Sequence, residues 1–499
     1  MSAVTATRRP IDLDAHTLKG VLAGGLRDRP ITVLGFARSG IALARFFVDM
    51  GARVTVYDGR PSSELGEAIA ALEGREVRLL AGPDVDPASA WADAELVATS
   101  PSINPDYPTT EPRLRAALQA LVEDAAAPAL VSEADLFLRL CPATTVGVTG
   151  TKGKTTTSSL IAAVLDGEPD HPVVLGGNIG TPLVERLPEL TPAHRVVIEL
   201  SELQLPTLSR GTDVAVYTNV TSDHLDRHGS LAGYRAAKRR LAELVNPDGV
   251  LVLNADDPVV AAYADQPTRA QVVWYGRSTL EPAGVGLTDG WIVADGEPIL
   301  PIGELAIPGE HNVSNALAAV AVAHWFGLSA DAIRSRATGF RGVEHRLEIV
   351  EEIDGVRFVN DSQGTQPDAV IAALRAFDPP VVLIAGGRDK GVDLSDLAPV
   401  AAERAIAAVL IGESGPTLER LFGDAGIART ERATTLDQAV RAADTIARES
   451  LASGSHPPAT VLLSPAAASF DMFVDYAARG RAFKQAVANL AAERQGRTR

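Results

Sequence analysis

Residues 147–156 read GVTGTKGKTT, close behind Ala143-Thr144-Thr145-Val146. An apolar strand, a glycine-rich turn and then Lys154-Thr155-Thr156 opening a helix is an arrangement that can cradle a triphosphate. Backbone amides turn toward the phosphates, the lysine brings positive charge and a hydroxyl reaches Mg²⁺. The spacing differs by one residue from the usual phosphate loop GxxxxGK[ST], because Val148 stands where that pattern needs glycine. An ordinary P-loop NTPase is therefore disfavoured. The physics of the cradle is intact.

Two neighbouring strands carry polar residues at their ends. Val196-Val-Ile-Glu199 brings a carboxylate to the end of one apolar run. The strand read over 214–219 passes into Val220-Thr-Ser-Asp223-His224-Leu-Asp226. In a parallel sheet the carboxyl ends of the strands share one edge, and ligands bind there. Lys154, Glu199 and His224 are therefore expected to converge. Further on, helical spacing puts Lys238 on one stripe with Leu231, Tyr234 and Leu241, while Arg235, Arg239 and Arg240 take other faces. A lysine on an inward stripe is costly unless it is paired or chemically changed. Alternatively it snorkels its amine to water.

Outward from this centre the chain alternates short apolar runs with helical stretches, the pattern of parallel, helix-covered sheets. The first block has strands at 31–34, 53–57 and 94–99, and a linker near 125–128. The second adds strands at 173–175, 195–200, 214–219 and 250–254. The third has strands at 356–359, 381–385, 408–411 and 460–463. The fold class expected is α/β with three domains. These are a Rossmann-like N-terminal domain (1–132), a central mononucleotide-binding parallel-sheet domain (133–342) and a Rossmann-like C-terminal domain (343–499).

In the first block Gly35-Phe-Ala-Arg-Ser-Gly40 joins a strand to a helix, and Asp58 ends the next strand. Ala37 takes the place of the glycine that lets a backbone touch the pyrophosphate of a nicotinamide dinucleotide. A diphosphate-bearing ligand that is not a dinucleotide fits better, the alternative being a tight turn with no ligand.

The bulk properties narrow the class further. The chain has 499 residues, a net charge of −17 and one cysteine, Cys141. No intramolecular disulfide and no cysteine-built zinc site is possible. The negative charge argues against nucleic acid as a partner. No apolar run approaches the roughly 20 residues that span a bilayer, and no signal peptide follows Arg8-Arg9, so a cytoplasmic protein without membrane insertion is expected. Small anionic ligands would be held by local donors and metal ions.

The motifs together resemble the Mur ligases, ATP-dependent amide-forming enzymes of peptidoglycan precursor synthesis. Matching segments are residues 150–156, Gly176-Gly-Asn178-Ile-Gly180, Glu199-Leu-Ser, the run 219–226 and Tyr234-Arg-Ala-Ala-Lys238. Pro308-Gly-Glu-His-Asn312-Val-Ser-Asn315, Glu344-His-Arg346 and Asn360-Asp361-Ser362 follow in order. Glu199-Leu-Ser-Glu-Leu-Gln204-Leu, Gly386-Gly-Arg-Asp-Lys390-Gly and Leu463-Ser-Pro-Ala-Ala-Ala-Ser469-Phe470 are similar to the D-glutamate-adding branch.

The resemblance implies ATP and UDP-N-acetylmuramoyl-L-alanine as substrates with D-glutamate, an acyl-phosphate intermediate, two Mg²⁺ ions and a monomer. It implies that Gly150, Thr151, Lys152, Gly153, Lys154, Thr155 and Thr156 hold the ATP phosphates. Asn312 and Asn315 then serve the adenine side, with Arg346 and Asp361 reaching phosphates and ribose. Thr155, Glu199, His224 and a carbamylated Lys238 are implied as metal ligands, and Lys154, Glu199, His224 and Lys238 as the catalytic set. Phe36, Ala37, Arg38, Asp58, Arg60, Asn178 and His224 contact the uridine-diphosphate substrate. Thr365, Lys390, Ser469 and Phe470 surround D-glutamate. ATP contacts from two domains imply closure over the substrates. The chain departs from the family pattern at Gln363, where lysine is usual, and at Ser102, Glu202 and Tyr476. The related folylpolyglutamate synthases share the phosphate loop and the lysine, but would not need the first block with Asp58. A nicotinamide-dependent oxidoreductase is disfavoured by Ala37.

Overall fold

The computed structural model describes residues 11–221, 225–278, 284–307, 309–389 and 393–497. His224 and Lys390, both expected in the site, lie outside the described residues. The chain forms two compact units, Met1–Glu304 with His311–Ala337, and Leu305–Glu310 with Thr338–Arg499. Among the described residues no helix is long and apolar enough to cross a membrane.

The first unit holds two sheets. In one, β1 (Pro30–Leu34), β2 (Arg53–Asp58), β3 (Arg78–Ala81), β4 (Leu96–Thr99) and β5 (Ala129–Ser132) lie in the order β3-β2-β1-β4-β5, all parallel. β1 and β4 are almost wholly buried and apolar but for Thr32 and Thr99, because helices cover both of their faces. Val33, Leu34, Phe47 and Leu96 have no exposed surface. A side chain such as Phe47 contributes about 1.5–3 kcal/mol by leaving water. The helix Arg38–Asp49 packs closely on β1, since a Cβ on Gly40 would stand 1.8 Å from the Gly35 carbonyl oxygen.

The second sheet consists of β6 (Thr144–Thr149), β7 (Val173–Gly177), β8 (Arg195–Glu199), β9 (Val214–Tyr217), β10 (Val250–Asn254), β11 (Gln271–Tyr275), β12 (Val285–Thr288), β13 (Trp291–Ala294) and β14 (Glu297–Pro301). Its order is β14-β13-β12-β11-β10-β9-β6-β8-β7. The strands from β7 to β12 are parallel, and β12, β13 and β14 form an antiparallel extension. The phosphate-loop strand β6 is central, flanked by β8 and β9. The loops after these three strands therefore open on one edge.

The second unit carries β15 (Glu348–Ile353), β16 (Val356–Asn360), β17 (Val381–Gly386), β18 (Ala405–Ile411), β19 (Thr430–Arg432) and β20 (Ala459–Leu463), in the order β15-β16-β20-β17-β18-β19. Only the β15–β16 pair is antiparallel. Two apolar layers cover the sheet, one centred on Phe358, Val409 and Phe483 and the other on Leu383, Leu410 and Phe422. All three sheets are the α/β layers expected from the sequence. The antiparallel arm over 285–301 and the hairpin strand β15 were not read from it.

Candidate active site

The loop 150–153 is held by the end of β9 as much as by its own turn. The Thr151 amide donates to the Asn219 carbonyl (2.7 Å), and Lys152 exchanges two hydrogen bonds with the Asn219 side chain. Thr218 Oγ1 donates to the Lys152 carbonyl at 2.6 Å. Behind these, Asn254 at the end of β10 donates to the Thr218 carbonyl, and Asp257 accepts the Val220 amide. Gly150 and Gly153 have φ of 149° and 86°. A Cβ on the first would meet Thr218 Oγ1 at 1.9 Å, and on the second Asn315 Oδ1 at 2.6 Å.

Lys154 opens the helix Lys154–Leu165 and donates to the Gly150 and Thr151 carbonyls at 3.0 and 2.8 Å, which holds its charge over the loop. Thr155 follows, half-buried, and Thr156 is buried. Asn315, buried on the helix Glu310–Trp325, accepts from Thr157 Oγ1 and donates to Asn312. The two asparagines thus stand against the first turn of the loop's helix.

Glu199 lies beside Val148 in register, at the edge that the loop opens on, and is 1% exposed. Its Oε1 accepts from Asn178 Nδ2 (2.7 Å). Its Oε2 is buried with no hydrogen-bond partner among the described residues. A buried carboxylate oxygen without a donor is expensive, and a cation is the partner that would relieve it. Asn178 leads in turn to the first sheet, because Arg38 donates to the Asn178 and Gly180 carbonyls at 3.3 Å. Arg38 and Ala37 are exposed at the start of their helix. Phe36 is 1% exposed, with its ring in the core and its carbonyl accepting from Arg60 at 3.2 Å. Asp58 accepts from the Phe36 amide and from the Arg60 amide and guanidinium. Burial raises the Asp58 pKa, but Arg60 and the two amides outweigh it and hold the carboxyl below its usual range. Its work is to shape the turn and to anchor Arg60, whose guanidinium is partly exposed.

Lys238 has no exposed surface, so it does not snorkel. Its amine donates to Thr149 Oγ1 (3.3 Å) and lies 5.6 Å from the centre of the Tyr234 ring. Tyr234 hydrogen-bonds Thr151 Oγ1 at 2.9 Å, linking this helix to the phosphate loop. Tyr234, Lys238 and Leu241 share the buried stripe as expected. Leu231, at the helix start, does not, being 36% exposed.

In the second unit the loops after β16, β17 and β20 are stitched together. The Ala466 amide donates to Gly364, and the Arg388 amide to Ala468. Asp361, 4% exposed, accepts from Ser464 Oγ (2.6 Å) and the Leu347 amide (3.2 Å), which brings the turn carrying Arg346 beside it. Burial pushes the Asp361 carboxyl up to about 6, against the pull of Ser464 and Arg346. Thr365 is half-buried, Ser469 buried and Phe470 64% exposed along this edge.

The chain matches the Mur ligase middle domain over residues 148–323 and the Mur ligase glutamate ligase domain over residues 345–467. It is 38% identical to the UDP-N-acetylmuramoylalanine--D-glutamate ligase of Symbiobacterium thermophilum, over 94% of this chain and all of that one. It is also 38% identical to the enzyme of the same name from Pelotomaculum thermopropionicum, over 93% and 98% of the two chains. The chain belongs to the Mur ligase family. The same fold is found in the UDP-N-acetylmuramate-alanine ligase of Thermotoga maritima, with a TM-score of 0.56 at 20% identity over 92% and 99% of the two chains.

Several residues that build this Mur ligase's site escaped sequence reasoning. Thr218, Asn254 and Asp257 carry no motif beyond their place at strand ends, which was the one usable signal, and Asn219 lies in the run 219–226 without any sign there that it braces the loop. Arg479 is 1% exposed and donates to the Ser362 and Ala467 carbonyls, tying the β16 and β20 loops together. Burial lowers its pKa to about 10. Nothing in the surrounding helical sequence distinguishes it from a surface arginine. Glu202, where the family usually has serine, is buried with its carboxylate 3.3 Å from Arg227.

Proposed function

We propose that this Mur ligase joins D-glutamate to UDP-N-acetylmuramoyl-L-alanine at the expense of ATP. The reading is supported by the end-to-end likeness to ligases of that name and by the Glu199-Leu-Ser-Glu-Leu-Gln204 segment. The observation that carries the chemistry is the buried Oε2 of Glu199, without a donor beside the phosphate loop.

The γ-phosphoryl group passes to the carboxylate of the L-alanyl substrate, giving an acyl phosphate and ADP. The D-glutamate amine attacks the acyl carbon, and phosphate leaves from the tetrahedral adduct. Three anionic reactants must meet, so positioning and charge neutralisation are the main tasks. The amides of residues 150–156 and the Lys154 amine receive the phosphates. Glu199 and Thr155 fit a Mg²⁺, which typically combines one or two carboxylates with hydroxyl and phosphate oxygens. Such an ion would withdraw charge from the transferring phosphoryl group. Lys238, fully buried, fits N-carboxylation, which would turn an amine that is costly to bury as a cation into an anionic oxygen ligand. Arg38, Arg60 and Asn178 would orient the nucleotide sugar. Arg346 and Asp361 would meet ATP, and Thr365, Lys390, Ser469 and Phe470 would bind D-glutamate.

Phosphate release with ATP, Mg²⁺ and UDP-N-acetylmuramoyl-L-alanine is expected with D-glutamate, and not with L-alanine or with a folate in place of the nucleotide sugar. Turnover with L-alanine or a folate, and none with D-glutamate, rejects the reading. Lys238→Ala is expected to lose at least about 100-fold in kcat and to recover part of it with a short carboxylic acid. Full activity of that variant under CO₂-free conditions removes the carbamate from the mechanism.

A further inference from the structure

Glu133 is a buried carboxylate that the reaction outlined above does not use. It follows β5 and opens the helix Glu133–Leu140, with 3% of its surface exposed. It lines a cavity of only about 10 Å³ together with apolar Phe137, Leu183, Ile198 and Leu200 and the amide side chain of Gln204, which leaves room for at most one water. Its Oε1 accepts the Val184 amide at 3.3 Å. Among the described residues no cation donates a hydrogen bond to it. Burial pushes its carboxyl up to about 7, opposed by the Val184 amide and, at longer range, by Arg38. An anion among apolar groups is unfavourable, and a leucine would fill the same space.

The segment that Glu133 grips follows β7 and meets Arg38, at the start of the helix covering the first sheet. At one end the Asn178 amide and side chain bind Glu199 at 2.9 and 2.7 Å, and Gly177 sits so close that a Cβ would meet the Glu199 carbonyl oxygen at 2.4 Å. In the middle, the Asn178 and Gly180 carbonyls receive Arg38. At the far end is Val184 on Glu133. The turn is thus fixed at Glu199, at Arg38 and at Glu133. The chain just beyond is also held by the Arg45–Glu185 ion pair (3.1 Å) and by buried Leu183, Val184 and Leu187, so Glu133 adjusts where the turn ends rather than holding it alone.

We propose that Glu133 is a positioning residue for the nucleotide-sugar substrate: it fixes the 178–184 turn, and through it the spacing of Arg38 and Asn178 from Glu199. The inference rests on the proposed function. Its test is calorimetric titration of full-length wild type, Glu133→Leu and Glu133→Gln with UDP-N-acetylmuramoyl-L-alanine and, separately, with ADP, together with steady-state kinetics and thermal melts.

Glu133→Leu is expected to melt within a few degrees of wild type and to bind the nucleotide sugar about tenfold more weakly. Its ADP affinity should be unchanged, and its loss should appear in the KM for the nucleotide sugar rather than in kcat. Glu133→Gln, which keeps an acceptor oxygen, should recover to within about threefold of wild type. Wild-type affinity in Glu133→Leu overturns the proposal. So does a large fall in melting temperature with both affinities lost, or failure of both variants to fold, because each assigns Glu133 a purely structural role. Wild type that binds ADP but no nucleotide sugar overturns the functional reading, and this inference with it.

Discussion

Single side chains in this Mur ligase act mainly by being charged where burial disfavours charge. Asp361 is the clearest case. Burial raises its carboxyl to about 6, from the ordinary aspartate value of about 3.8. The folded state therefore binds its proton more tightly than the unfolded chain does. Stability is greater with the proton on and falls as pH rises from about 4 to about 6, by on the order of 3 kcal/mol for a shift of this size. Asp361→Asn removes that cost while keeping an acceptor for the Leu347 amide and turning an NH₂ donor toward Ser464 Oγ, which can rotate to accept it. The variant is expected to be more stable than wild type at pH 7.5 by about 1–3 kcal/mol and to lose the advantage as the pH falls toward 4. Urea melts at the two pH values decide this. A gap that does not change with pH removes burial of the charge as its cause. The charge is retained at a cost to stability, which fits the contact with ATP proposed for it.

At the scale of elements, loops after strands are positioned by their neighbours. The phosphate loop takes its hydrogen bonds from the end of β9, and β10 holds that end in turn. Gly150 is where this packing is tightest. Gly150→Ala drives a methyl group into Thr218 Oγ1 and the Asn219 backbone, so about 2–4 kcal/mol of stability and nearly all ADP binding should be lost. Gly180 has φ of 65° with nothing within 4 Å of a Cβ, so Gly180→Ala should cost only about 1 kcal/mol, from backbone strain alone. Denaturant melts and ADP titration of the pair separate collision from strain. Equal losses in the two variants would show that crowding at Thr218 does not govern the loop.

At the scale of the whole molecule, the second unit has the marks of an autonomous domain. Its six strands carry apolar layers on both faces, and a unit of that size usually folds alone. A fragment of residues 338–499 is expected to melt cooperatively, with a stability of about 5–15 kcal/mol. A broad, non-cooperative melt would mean that its core depends on the rest of the chain. The residues proposed to serve ATP come from both units, so the fragment should neither bind the nucleotide sugar nor turn over ATP.

The local sequence determined the alternation of strands and helices, the phosphate loop, and the carboxylate at the end of β8, because strand periodicity, glycine turns and strand-end polar residues are short-range signals. It raised the question of Lys238 without answering it, since helical spacing names a stripe and not what the stripe packs against. Only the tertiary structure decided that Lys238 is buried rather than snorkelling, and that the Phe36 ring belongs to the core. It alone brought Glu133, Arg38 and Glu199 onto one turn, and tied Arg479 to two loops more than ten residues away. Each of those outcomes depends on which segments meet across long stretches of chain, and burial and unpaired oxygens come into existence only when they do.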